Sequence, residues 1–163
     1  MPVIAVTKDA AIATMTLTAW FDAAIERVWQ LWSDPRQLER WWGPPEFPAT
    51  VLGHDLVPGG TVAYLTTGAA GDVYRGWWKV RAVDAPRHLE FEDGWADEEG
   101  NPNPALPVTV VRVTLAAASR GGTDMEIVWA FPSTDAMEQI VAMGFEDGLT
   151  GSVGQIDDLL LDH

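Results

Sequence analysis

The 163-residue chain carries 24 acidic against 10 basic residues, a net charge of −14, and is 47% hydrophobic. That length and apolar content supply the core of one ordinary domain, so we expect a single domain over residues 1–163. The negative charge repels phosphate backbones and anionic bilayers, which argues against nucleic acid as a partner. The absence of cysteine removes disulfides and thiolate metal ligands and points to a reducing cytoplasm. The opening "MPVIAVTKDAAIATMTLTAW" has an apolar patch without a basic start and a long apolar run, and no stretch reaches about 18 apolar residues, so neither export nor membrane insertion is expected.

In chain order, residues 10 to 21 alternate well enough for a first strand with one buried face. Asp22 is placed to cap a helix on which Ile25, Val28, Trp29 and Trp32 follow amphipathic spacing, which makes both tryptophans core residues. "SDP" ends that helix and starts another, with Asp34 as cap, Pro35 in the first turn, and Leu38, Trp41 and Trp42 at helical spacing until "GPP" stops it. From 49 to 131 the texture becomes six short strands, "ATVLGHDLV", "TVAYLTT", "VYRGWWKVRAV", "HLEFED", "VTVVRVTLAAA" and "DMEIVWAF". "PGG" at 58–60 and "RGG" at 120–122 supply hairpin turns, so successive strands are antiparallel. The acid- and proline-rich stretch 94–107 reads as a solvated loop, and "GAAGD" at 68–72 as a turn. Ser133 caps one long helix to about residue 161, with an apolar arc from Met137 to Leu160. Gly144, Gly148 and Gly151 lie on one margin of that arc. Glycine inside a helix costs about 1 kcal/mol relative to alanine, so three on one line require either close packing on the sheet or room left for a bound molecule.

The order of elements, with "AAIERVWQLWSDPRQLERWWGP" (23–44), "HDLVPGGTVAY" (54–64) and "YRGWWKVRAVDAPRHLEFEDGWADEEGNP" (74–102), resembles the SRPBCC or START-like superfamily, in particular its branch similar to activators of the heat-shock-protein ATPase. "GGTDMEI" (121–127) and "MGFEDGL" (143–149) add weaker support. The resemblance implies an α+β helix-grip fold: a curved antiparallel sheet of about seven strands, two short helices after the first strand, and a long C-terminal helix over an apolar cavity. One slot usually held by arginine in that branch is Val57 here, so no role for that arginine carries over. The branch supplies no common catalytic residues.

Within that frame the ligand-binding candidates are Trp41, Trp42, Asp55, Tyr64, Trp78, Phe91, Trp129, Met137, Val141, Gly144 and Gly148. Of the consecutive Trp41 and Trp42, one is expected to plug the core and the other to cover the cavity mouth. Trp78 is the inward member of the Trp77–Trp78 pair, because strand neighbours face opposite sides. No catalytic residue, metal or cofactor is assigned. His54, His88 and His163 show no metal-binding spacing, and Ser33, Ser119, Ser133 and Ser152 fit caps, turns or small helix positions without a nucleophile motif. The expected activity is non-catalytic binding of a small apolar or aromatic ligand. Two alternatives stay open: a chaperone-interacting module, and a cyclase- or dehydratase-type enzyme working through Asp55, His54 or Tyr64. Exposed tryptophans such as Trp77 leave a homodimer open.

Overall fold

A computed structural model describes residues 3–161, and within them eight strands form one antiparallel sheet in the order β1-β2-β8-β7-β6-β5-β4-β3. The expected first strand, 10–21, is a single strand that starts only at Thr14, and an edge strand that was not expected precedes it. β1 (Val3–Asp9) pairs with β2 (Thr14–Phe21), and residues 10–13 turn between them. The Asp9 carboxylate accepts the Ala11 amide at 3.0 Å, and Ala13 takes a φ of 51°, so local turn chemistry overrides the apparent alternation from residue 10. The apolar patch at the start of the chain is thus the edge strand, which raises the count from seven to eight.

α1 (Ile25–Ser33) buries Val28, Leu31 and Trp32, while Trp29 is half-buried at the margin of the core rather than inside it. Its cap is Ala24, without a side-chain bond; Asp22 lies two residues too early to reach the first-turn amides. α2 (Pro35–Leu38) is capped as expected, with the Asp34 carboxylate accepting the Arg36 amide at 2.9 Å and Pro35 in the first turn. It ends at Leu38, four residues before Trp42. The amides of Trp41 and Trp42 both bond back to the Leu38 carbonyl, but Pro44 and Pro45 bring no amide to continue the ladder. Both tryptophans therefore sit in a turn, and helical spacing does not decide where they face.

The six strands expected between 49 and 131 are β3 (Ala49–His54), β4 (Thr61–Thr67), β5 (Val73–Asp84), β6 (His88–Ala96), β7 (Thr109–Ala117) and β8 (Thr123–Ala130). β6 runs three residues past the expected strand, so Gly94, Trp95 and Ala96 belong to the sheet and not to the loop. Alternation gives the sheet one dry face: Met15, Leu17 and Phe21 of β2, Leu89 and Phe91 of β6, Val111, Val113 and Leu115 of β7, and Met125, Ile127 and Trp129 of β8 are buried. The outer face carries an ion ladder in which Arg81 meets Glu90 and Glu92, and Arg112 bonds Glu90 at 2.8 Å.

The long C-terminal helix is three helices, α3 (Thr134–Ala142), α4 (Phe145–Val153) and α5 (Ile156–Leu161). Ser133 does cap the first, accepting the Ala136 amide at 3.0 Å. Gly144, at a φ of 87°, breaks α3 from α4, and Gly154 ends α4. Each piece opens on acids: Asp135 in α3, Glu146 and Asp147 in α4, Asp157 and Asp158 in α5. Asp157 and Asp158, which a single helix running to about 161 would place near its C-terminus, thus stand at an N-terminus, where the helix dipole stabilises negative charge. Asp162 and His163 lie outside the described residues.

Hydrogen bonds and an ion pair tie these helices to the front of the chain: the Thr134 hydroxyl donates to the Ala10 carbonyl at 2.7 Å, and Lys8 meets Glu146 at 2.8 Å. The Arg27 guanidinium donates to the Leu159 carbonyl at 3.0 Å, and the Gln155 amide donates to the Gly43 carbonyl at 2.7 Å. The C-terminal segment is thereby held over the dry face of the sheet, opposite α1 and the Trp41–Trp42 turn.

Candidate ligand-binding site

Between the sheet and α3–α4 lies a cavity of about 200 Å³, partly open to solvent. Seven of its twenty lining residues are aromatic, and several of their rings meet nearly at right angles. Trp41 and Trp42 have ring centres 5.5 Å apart at 82°, Trp42 and Tyr64 6.1 Å at 87°, and Trp129 and Phe145 5.6 Å at 89°. Edge-to-face pairs of this kind are worth about 0.5–1.5 kcal/mol beyond the area they bury, so the corners are fixed by the rings themselves. Behind them, Trp78 stacks on Phe91 at 3.9 Å and backs Trp42 at 4.9 Å. Trp41 is 1% exposed, and its indole N–H reaches the Leu31 carbonyl at 3.0 Å. Trp42 keeps partial exposure. The indole N–H groups of Trp32 and Trp78, deeper in the cluster, have no acceptor among the described residues.

A hydrogen-bonded pair stands among the polar residues of the wall, which also include Thr66, Arg75, Thr109 and Ser152. The Tyr64 hydroxyl of β4 donates to the Asp93 carboxylate of β6 at 3.0 Å, across the intervening strand β5. Gly76, the β5 partner of Tyr64, makes this reach feasible: a Cβ there would lie 2.3 Å from the phenol carbon and oxygen. Real Cβ atoms do not approach so closely, so the tyrosine lies where only a glycine leaves room. Burial pushes the Asp93 carboxyl up to about 7, and the bond from Tyr64 acts in the opposite direction. Burial, and next the charge of Asp93, push the Tyr64 phenol well above its ordinary range, against a smaller opposing effect of the Trp42 indole. The pair holds a proton near neutral pH inside an aromatic box.

Comparison with known proteins places this geometry in a family. A family model described as activator of Hsp90 ATPase homolog 1-like protein matches residues 22–160. The chain belongs to that family. A solution structure of a protein from Arthrobacter aurescens is 44% identical, with a TM-score of 0.92 over 98% of this chain and 92% of that one. A crystal structure of a protein from Mycobacterium smegmatis is also 44% identical, with a TM-score of 0.90 over 99% of both chains. A family member from Silicibacter pomeroyi, 23% identical with a TM-score of 0.74 over 93% of this chain and all of that one, shares the fold. No curated protein matches the chain significantly.

In this activator-of-Hsp90-ATPase-like domain, five of the eleven expected ligand-binding residues line the cavity: Trp41, Trp42, Tyr64, Trp129 and Gly148. Trp78 and Phe91 form the layer behind them. Met137 is buried and Val141 half-buried away from the lining. The three helix glycines have three separate reasons. Gly144 is the break between helices; Gly148 faces open space, with no atom within 4 Å of where a Cβ would be; Gly151 packs against Pro44, 3.4 Å from such a Cβ. Asp55 is exposed in the β3–β4 loop, and His54 bonds the Trp32 carbonyl at 3.0 Å, so neither reaches the cavity beside Tyr64.

The acid that does line it is Asp93, which is not among the expected ligand-binding residues. The signal was present: in "HLEFEDGWA" Asp93 shares the alternation of Leu89 and Phe91, the buried side of the strand. Among the described residues no group of His, Asp and Glu is placed to hold a metal, and no helix is long and apolar enough to cross a membrane.

A second depression lies on the opposite face, over β1, β2, β7 and β8. Its Trp20 is engaged by the Gly121 carbonyl at 2.9 Å and by the Arg120 guanidinium 4.5 Å above the ring.

Proposed function

We propose that this protein binds a small hydrophobic or aromatic molecule in the cavity between the sheet and the C-terminal helices, without catalysis. The observation that carries the reading is the aromatic box itself: rings from six separate segments enclose space that a side chain at Gly148 would have filled. Size limits the occupant. An apolar cavity of about 150 Å³ admits benzene, so about 200 Å³ suits a single ring with a short substituent or a compact bicycle. Burial at roughly 25 cal/mol per Å² drives entry, and the Tyr64–Asp93 pair orients the polar end. The cysteine-free sequence fits a reducing cytoplasm as the setting.

Indole provides the test. Its binding should raise the melting temperature in proportion to the logarithm of its concentration, because only the folded state binds it. Replacing Gly148 with Leu, which fills the box from α4, should abolish that shift. A wild-type protein whose melting temperature ignores indole, benzyl alcohol and naphthalene alike would end the proposal. The family description makes a heat-shock ATPase the alternative partner; we expect no stimulation of such an ATPase, and a dose-dependent rise in its rate would reverse the preference. Catalysis would have to run through Tyr64 and Asp93, and turnover lost in a folded Asp93→Asn variant would be its sign.

A further inference from the structure

We infer that the molecule this cavity selects is an organic cation, an ammonium group on one aromatic ring or a short alkyl body. The inference rests on the proposed binding function and names its ligand class. Its first support is the direction of the hydrogen bonding. The Tyr64 proton is spent on Asp93 Oδ1, and no other group among the described residues donates to that carboxylate. Once Asp93 is ionised, what the pair offers a guest is acceptor capacity, which calls for a donor.

The second support is charge. Arg75 also borders the cavity, but it shares the alternation of Trp77 and Lys79 on the outer side of β5 and forms no ion pair with Asp93. Among the described residues, Tyr64 and Tyr74 are the other titratable groups at the cavity, and the walls from β7, β8, α3 and α4 bring none. Asp93 is therefore an acid without a cation, and a bound ammonium would supply one. A carboxylate withdrawn from water is costly alone, and a well-placed, hydrogen-bonded cation offsets that cost.

The third support is the box. Trp41, Trp42, Tyr64 and Trp129 present ring surface on adjoining walls, and the faces of aromatic rings attract cations, most strongly when both are desolvated. The molecule's net charge of −14 adds a long-range field that concentrates cations and depletes anions.

Calorimetry with three probes of nearly one shape decides the matter: phenethylamine, 2-phenylethanol and phenylacetate. In wild-type protein at about pH 8 and low salt the amine should bind about tenfold or more tighter than the alcohol, as a charge-assisted bond requires, and phenylacetate weakest. Asp93→Asn should erase the difference between amine and alcohol. The amine's advantage should also shrink as pH falls from about 8 to about 5, because Asp93 then takes up a proton, and this arm needs no variant. An alcohol that binds as tightly as the amine, a preference for phenylacetate, or an amine preference that survives in folded Asp93→Asn would overturn the inference. If the alcohol binds and the amine has no advantage, the cavity still binds small molecules and only the cation falls. If none of the three binds, the cation falls with its premise.

Discussion

Asp93 is the residue where fold and function pull in opposite directions. In the folded protein its carboxyl is raised to about 7 by burial, whereas in the unfolded chain it ionises near 3.9. Between those values the folded state holds a proton that the unfolded state has released, so stability falls as pH rises from about 4 to about 7 and then levels. About three pH units would amount to about 4 kcal/mol as an upper bound; water entering the cavity reduces this, and a loss of about 1–3 kcal/mol is expected. Asp93→Asn keeps an acceptor for Tyr64 and removes the ionisation. Urea unfolding across that window should therefore show a flatter profile for the variant, with its largest gain over wild type above pH 7; parallel profiles would remove Asp93 from the account. Gly76 makes a companion case. Gly76→Ala places a methyl on the phenol of Tyr64, and overpacking of this kind costs about 1–3 kcal/mol. Combining it with Tyr64→Ala should recover much of the cost of Gly76→Ala, and simple additivity of the two losses would argue against the contact. Neither role was legible from composition. Asp93 could have been found by carrying the alternation of β6 two residues further; Gly76 could not, because only the cross-strand register shows what lies above it.

Elements were legible where side-chain chemistry is local. Asp34–Pro35 and Ser133 announced their helices because a cap is a bond between near neighbours, and six strands from 49 to 131 followed from alternation and turns. The errors came where a longer pattern hid a break. The apolar arc from Met137 to Leu160 has helical spacing throughout, yet Gly144 at a φ of 87° and the cap at Gly154 divide it; the acids after each break were the overlooked start signals. β1 was missed because an apolar patch at a chain end reveals nothing of its partner strand. The glycines of this region now separate by experiment. Gly144→Ala must hold alanine in the left-handed region and should lower stability by about 1–2 kcal/mol. Gly148→Ala adds a methyl to open space inside a helix and should raise it by about 0.5–1 kcal/mol. Thermal denaturation of the pair checks both signs together, and equal losses would mean that the two glycines serve one packing line after all.

At the scale of the whole molecule, the cavity exists because two ends of the chain are fastened across it rather than packed into it. The sheet and the C-terminal helices face each other through aromatic rings, while the polar bonds that fix their separation stand at the edges. Gln155, half-buried between α4 and α5, is the bond nearest the Trp41–Trp42 turn, and its amide reaches the Gly43 carbonyl at 2.7 Å. Gly43 is itself confined, since a Cβ there would lie 2.2 Å from the Phe47 carbonyl oxygen, so the turn cannot shift to find another donor. Gln155→Ala should then leave a carbonyl unpaired at a cost of about 1–3 kcal/mol, and the loss should be local as well as global. Hydrogen exchange is the suitable measurement: amides of α4 and of residues 41–43 should exchange faster, while those of β7 and β8, held by the ladder on both sides, should change only as far as global stability does. A bound probe should also leave the variant faster than wild type, because the box opens at this edge. Uniform acceleration of every amide would show that Gln155 adds stability to the fold without governing the opening.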